Sequence, residues 1–198
     1  MRQLIAVVML IGLTSLVGLP KSAVADAGTE RAEIDRNVKE ALARLYKTVP
    51  GSRDVAKQAK GMLVFPAIYQ AGFVVGGEYG KGALKVKGRS VGYYSTVGAS
   101  FGFLAGAEKR SMALMFMTSD ALQQFQRSSG WDVGGDASVT LVEIGANGAV
   151  DASRLNKPIV AFLFGNAGLM ANLSLQGTKV SKLDLPAEPV SGTSKPKK

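Results

Sequence analysis

At Gly61 the apolar periodicity of the chain changes, and the change sets the architecture. Upstream, Ile34, Val38, Ala41, Leu42, Leu45 and Val49 recur at the three- and four-residue spacing that forms one helical stripe. Downstream, short apolar runs alternate on a period of two and are punctuated by glycines, as in half-buried strands. Helices first, then strands whose connections are too short for parallel crossovers, predict an α+β fold. N-terminal helices would pack on an antiparallel β-rich body of about seven to eight strands with one inserted short helix.

Local signals give the expected elements. Pro50-Gly51 ends the first helix, and Ser52 is placed to cap a second one running to Lys60. Glu40 and Arg44 have the i,i+4 order that favours an ion pair. Strands are expected over residues 62–65, 72–79, 83–87, 93–107, 112–117, 137–144, 159–164 and 169–175, with a last edge over 180–183. The segment Gly80-Lys81-Gly82 reads as a hairpin turn, Gly88 and Asn147-Gly148 as further turns, and residues 108–111 as a link. Ser119 or Asp120 opens the inserted helix, which ends near Arg127.

Two glycine series, Gly72/Gly76/Gly80 and Gly98/Gly102/Gly106, each repeat every four residues, which in a strand puts all three on one face. Bare backbone there lets another element approach closely, and the expected occupant is the N-terminal helix. The stretch from Gly76 to Gly82 is not a phosphate loop. Val75 stands where a Walker loop needs its first glycine, and Gly82 where it needs Ser or Thr.

The chain begins with the pattern of an export signal. Arg2 precedes an apolar run over residues 4–19, and Ala23-Val24-Ala25 supplies the small-x-small cleavage pattern. The expected organisation is therefore a signal peptide over residues 1–25, a domain over 26–185, and a disordered basic tail over 186–198. Cleavage would remove Arg2 and Lys21 and lower the net charge from +9 to +7. The expected location is the periplasm or the exterior. Lipoprotein processing is excluded because the chain has no cysteine.

The missing residue types exclude more than the charge does. Without cysteine there is no thiolate nucleophile or disulfide, and without histidine no Ser-His-Asp triad or imidazole ligand. Asp132 and Asp136, with Asp120 or Glu143, are the carboxylates that could serve acid–base chemistry or calcium, but their spacing fits no calcium loop. Glycine-rich turns use Asp for backbone hydrogen bonds. The expectation is a non-enzyme with no cofactor and no metal.

Lys60-Gly61-Met62-Leu63-Val64-Phe65-Pro66 and the run from Gly72 to Gly82 resemble the opening block of the SYLF domain. Asp136-Ala137-Ser138-Val139, Gly168-Leu169-Met170 and the run from Leu173 to Gly177 are similar to its later blocks. The resemblance implies a lipid-binding domain of the kind that meets phosphoinositides partly through an N-terminal amphipathic helix. Some relatives also bind actin filaments, which is not expected of an exported chain. Val91-Gly92-Tyr93-Tyr94-Ser95 and Phe164-Gly165-Asn166-Ala167 depart from the family pattern, so no ligand specificity is carried over.

The expected partner is an anionic lipid or membrane surface, with envelope proteins or wall polymer as the alternative and no nucleic acid. On the first helix Arg36, Lys39 and Lys47 fall within roughly a quarter of the circumference, beside the apolar stripe. In one reading the stripe enters the head-group boundary while these cations meet phosphates; in the other it only covers the sheet. Lys57, Lys60, Lys81, Lys85 and Lys87, with Arg89, form a second basic group that would join the first if the hairpin stood near the helices.

Overall fold

A computed structural model describes residues 21–72, 75–101, 106–133, 135–136, 138–142, 150, 157–165, 168–169, 175 and 177–185. The expected turn at Asn147-Gly148, the candidate Glu143 and the tail beyond residue 185 lie outside these residues. Three helices, α1 (Lys21–Thr48), α2 (Ser52–Gln58) and α3 (Ser119–Arg127), accompany β1 (Gly61–Gly72), β2 (Val75–Val86), β3 (Arg89–Phe101), β4 (Gly106–Phe116), β5 (Gly130–Asp132), β6 (Val139–Leu141), β7 (Ile159–Gly165), β8 (Gly168–Leu169) and β9 (Thr178–Lys182). The strands form one sheet in the order β5-β9-β3-β2-β1-β4-β7-β6, with β8 on β7. Its two edge strands, β5 and β6, are neighbours in the chain, so the sheet curls around its inner face. The α+β architecture expected from the change of period is the one observed.

Several boundaries differ from expectation for identifiable reasons. Strand β1 runs through Pro66 instead of stopping there, because a register shift between Val64 and Ala67 absorbs the proline as a bulge. The Gly80–Gly82 segment is no turn. It lies inside β2, paired to β1 and β3, and a Cβ at Gly82 would stand 2.2 Å from the Val64 carbonyl oxygen. The turn comes at Lys87-Gly88, both at positive φ (50° and 81°), as a two-residue hairpin loop requires. Residues 108–111 are part of β4, not a link. Strand β6 pairs with β7 in parallel, contrary to the all-antiparallel expectation, and the segment between them is long enough for a crossover. Strand β9 is no edge, since β3 and β5 flank it.

The caps also differ. Ser52 does not cap α2; its hydroxyl donates back to the Val49 carbonyl at 2.6 Å, and Gly51 at positive φ holds the N-cap position. Thr118 caps α3 by accepting from the Ala121 amide at 3.2 Å. Arg44 leaves Glu40 and donates to the Ser111 hydroxyl at 2.8 Å.

The two faces of the sheet carry different cores. On the inner face Leu63, Phe65, Leu84, Met112, Leu114 and Phe116 pack with Leu122 and Phe125 of α3. On the outer face the α1 stripe, Val38, Ala41 and Leu45 at full burial, covers Val64, Ala83, Ala113 and Phe162. Each large aliphatic or aromatic side chain so buried contributes about 1.5–3 kcal/mol.

Farther along the inner face the core becomes polar. Arg110 of β4 forms a buried ion pair with Glu78 of β2, and Thr178 of β9 donates to Glu78 Oε1 at 3.0 Å. Gly98 lies directly opposite Glu78 on β3, and a Cβ there would come 2.7 Å from Glu78 Oε1. Gly80 and Gly98 therefore make room for a carboxylate and for neighbouring strands inside the curl, not for α1 as expected. Removing one member of a buried pair strands the other charge. Gly98→Ala, which evicts the carboxylate, and Glu78→Gln are each expected to cost about 3–5 kcal/mol in urea unfolding, whereas Glu78→Met with Arg110→Met should recover much of that loss. Additive losses in the double variant would contradict the pairing.

Candidate functional site: a cationic groove beside the first helix

Helix α1 lies across the outer face of the sheet as a ridge, and its two flanks carry opposite charge. One flank, bearing Glu30, Glu33 and Asn37, looks over Tyr69 and Tyr79. The other, bearing Asp35, Arg36, Lys39, Leu42, Ala43 and Tyr46, faces the β2–β3 hairpin. The turn at Lys87-Gly88 folds that hairpin so that Lys85, Arg89, Ser90 and Tyr93 approach the helix, and Arg53 of α2 closes the end. The result is an open groove of about 930 Å3.

The charges in the groove do not cancel. Among the described residues none of Arg36, Lys39, Arg53, Lys85 and Arg89 is ion-paired. Asp35, the one carboxylate in the lining, is occupied by hydroxyls, accepting from Ser90 at 2.6 Å and Tyr93 at 2.9 Å. These two bonds tie the hairpin to α1. Lys85 reaches the Ser90 hydroxyl at 3.4 Å, which points its ammonium along the groove wall. Arg53 stacks over the Tyr46 ring, 4.7 Å from its centroid, within cation–π range. Burial pushes the Tyr46 phenol above its ordinary pKa against the opposing pull of Arg53, so it stays neutral. The site can hold an anion with several oxygens by charge and by hydroxyl donors.

Of the residues expected at an anion site, Arg36, Lys39 and Lys85 are brought together, and Arg89, grouped with the lysines in the sequence, joins them. The rest are elsewhere. Lys47 lies on the same helix face but beyond the lining. Lys57 is exposed and paired with Asp54 at 2.8 Å. Lys60 is exposed at the entry to β1, Lys87 is exposed at the hairpin tip, and Lys81 pairs with Glu30 across α1. Arg53 was not expected, since its place depends on how α2 turns after Gly51. In this fold the apolar stripe of α1 is buried against the sheet.

Residues 97–184 match the family model Ysc84, described as a Las17-binding protein actin regulator. Over that segment the chain is similar to the SYLF family. No curated protein gives a significant match. SYLF domains are binding domains, not known as enzymes. The matched segment runs from the end of β3 through β9, so the groove residues, all between Asp35 and Tyr93, lie upstream of it.

Two of the carboxylates considered for chemistry make local hydrogen bonds. Asp136 accepts from Trp131 Nε1 at 2.8 Å and from the Ser138 amide at 2.8 Å and hydroxyl at 2.6 Å. Partial burial pushes this carboxyl up, but the bonds from Ser138 and Trp131 outweigh it and hold it below the usual carboxylate range. Asp132 accepts from the Gly135 amide at 3.0 Å, and Asp120 is exposed in the first turn of α3. Among the described residues no three acidic groups gather as a metal site. Trp131 packs edge-on against Phe125 at 5.3 Å and Tyr94 is core, which leaves Tyr93 as the one of these aromatics in the groove.

Proposed function

We propose that this protein is an exported, non-catalytic module that binds anionic phospholipid surfaces through the groove between α1 and the β2–β3 hairpin. The observation that carries the reading is the convergence of Arg36, Lys39, Arg53, Lys85 and Arg89 with no ion-pair partner among the described residues. Each such cation near an anionic membrane contributes about 1 kcal/mol, and the attraction weakens with salt. With the apolar stripe of α1 buried, contact is electrostatic and peripheral. Among the described residues no helix is long and apolar enough to cross a membrane.

Export rests on the leader pattern, with Ala23-Val24-Ala25 as its cleavage motif. N-terminal sequencing of the protein recovered from outside the cytoplasm should begin at Asp26. A chain retained in the membrane fraction from Met1 would overturn the leader reading.

A second reading, a protein or wall-polymer partner in place of lipid, is favoured by the family description, which names the binding of a protein. The two are separated by co-sedimentation with vesicles of anionic or zwitterionic lipid. Binding should require anionic lipid, weaken with salt, and fall about 100-fold or more when Arg36, Lys39, Lys85 and Arg89 are changed to Ala. Changing Lys47, Lys57 and Lys60 to Ala should cost far less. Equal losses in the two variants would reduce the site to diffuse surface charge. No binding by the folded wild type would leave the protein or wall-polymer partner.

A further inference from the structure

On the acidic flank of α1 a second, smaller recess opens, a cavity of about 230 Å3 lined by Glu30, Glu33, Asn37, Tyr69, Tyr79 and Lys81, among others. It is too small for a lipid head group with its chains and suits a single side chain. Its charge is unbalanced. Lys81 is paired with Glu30 and also feels Glu33, so two carboxylates share one ammonium. Glu33 is exposed and has no ion pair among the described residues.

The other wall is aromatic. Tyr69 and Tyr79 are direct cross-strand partners on β1 and β2, and they remain 58% and 45% exposed. Rings left open in this way are attractive to cations through their faces. Tyr69 already takes one, since the Lys109 ammonium lies 5.8 Å from its centroid.

We propose that this recess is a binding site for an alkylammonium group, seated against the tyrosines with its charge toward Glu33. The site is independent of the lipid reading and lies across α1 from the groove. Two sources can supply the group. One is an external amine. The other is the chain itself, whose residues Lys195, Lys197 and Lys198 follow Leu185. The Leu185 carbonyl accepts a hydrogen bond from Arg31 of α1, next in sequence to Glu30. Ten residues of extended chain reach at most about 33–36 Å, so Lys195 can come to the recess from there.

The test is amide-resolved NMR on the full chain, with Glu33 and Tyr79 as reporters. Three proteins are compared: wild type, Glu33→Gln, and a variant with Lys195, Lys197 and Lys198 changed to Ala. The probes are butylamine and an acetylated, amidated Ser-Lys-Pro-Lys-Lys peptide, each at matched ionic strength. If the tail is the source, the tail variant shifts both reporters before any probe is added, and the peptide restores them. If an external amine is the source, the tail variant matches wild type and butylamine shifts the reporters saturably. In either case Glu33→Gln, a change at an exposed helix position, should weaken the response about tenfold. Reporters that move with neither tail nor probes, or that respond equally in Glu33→Gln, would overturn the site.

Discussion

The packing of the α1 stripe on the outer face of the sheet governs what the rest of the surface can do. Val38, Ala41 and Leu45 reach full burial against Val64, Ala83 and Phe162, and this fixes the rotation of the helix about its axis. Once the stripe is committed, the flanking positions have no freedom. Arg36 and Lys39 must look toward the hairpin, and Glu30 and Glu33 toward the tyrosines. A helix that is nearly neutral in composition thereby separates a basic groove from an acidic recess. Asp35 reinforces the arrangement by accepting from both Ser90 and Tyr93, so the hairpin is tethered to the ridge.

The inner face solves a different problem. A curled sheet needs close approach between neighbouring strands, and the glycines at positions 80, 82 and 98 remove the Cβ atoms that would block it. At Gly98 the freed space holds a carboxylate. The ion pair of Glu78 with Arg110, joined by Thr178, ties β2, β4 and β9 together at the polar end of the curl. A shifted strand would leave one of these buried charges without its partner, which disfavours other registers.

The legible parts of the fold were those governed by local periodicity. The α1 stripe, the end of that helix at Pro50-Gly51, the turn at Gly88, the inserted helix and β7 all followed from spacing and turn chemistry. The failures came where tertiary context overrode local signals. Gly80-Lys81-Gly82 has the composition of a turn, yet it serves a continuous strand crossing a bulge, and nothing within three residues distinguishes those uses. Pro66 is a strand breaker by itself and a bulge residue when β4 and β2 hold both sides. The groove was half legible. Helical spacing grouped Arg36 with Lys39, but the proximity of Lys85 and Arg89 depended on the hairpin folding toward α1, and Arg53 on the turn at Gly51.

The groove meets the membrane with α1 seated on the sheet. The natural chain has no cysteine, so Asp35→Cys with Ser90→Cys introduces the only thiols, at positions whose side chains touch across the helix–hairpin junction. The measurement is binding of this variant to anionic vesicles, oxidised against reduced. Equal affinity in the two states is the predicted result, since a disulfide that pins α1 to the hairpin leaves the cations in place. Loss of binding on oxidation, restored on reduction, would mean instead that α1 must leave the sheet to meet the membrane.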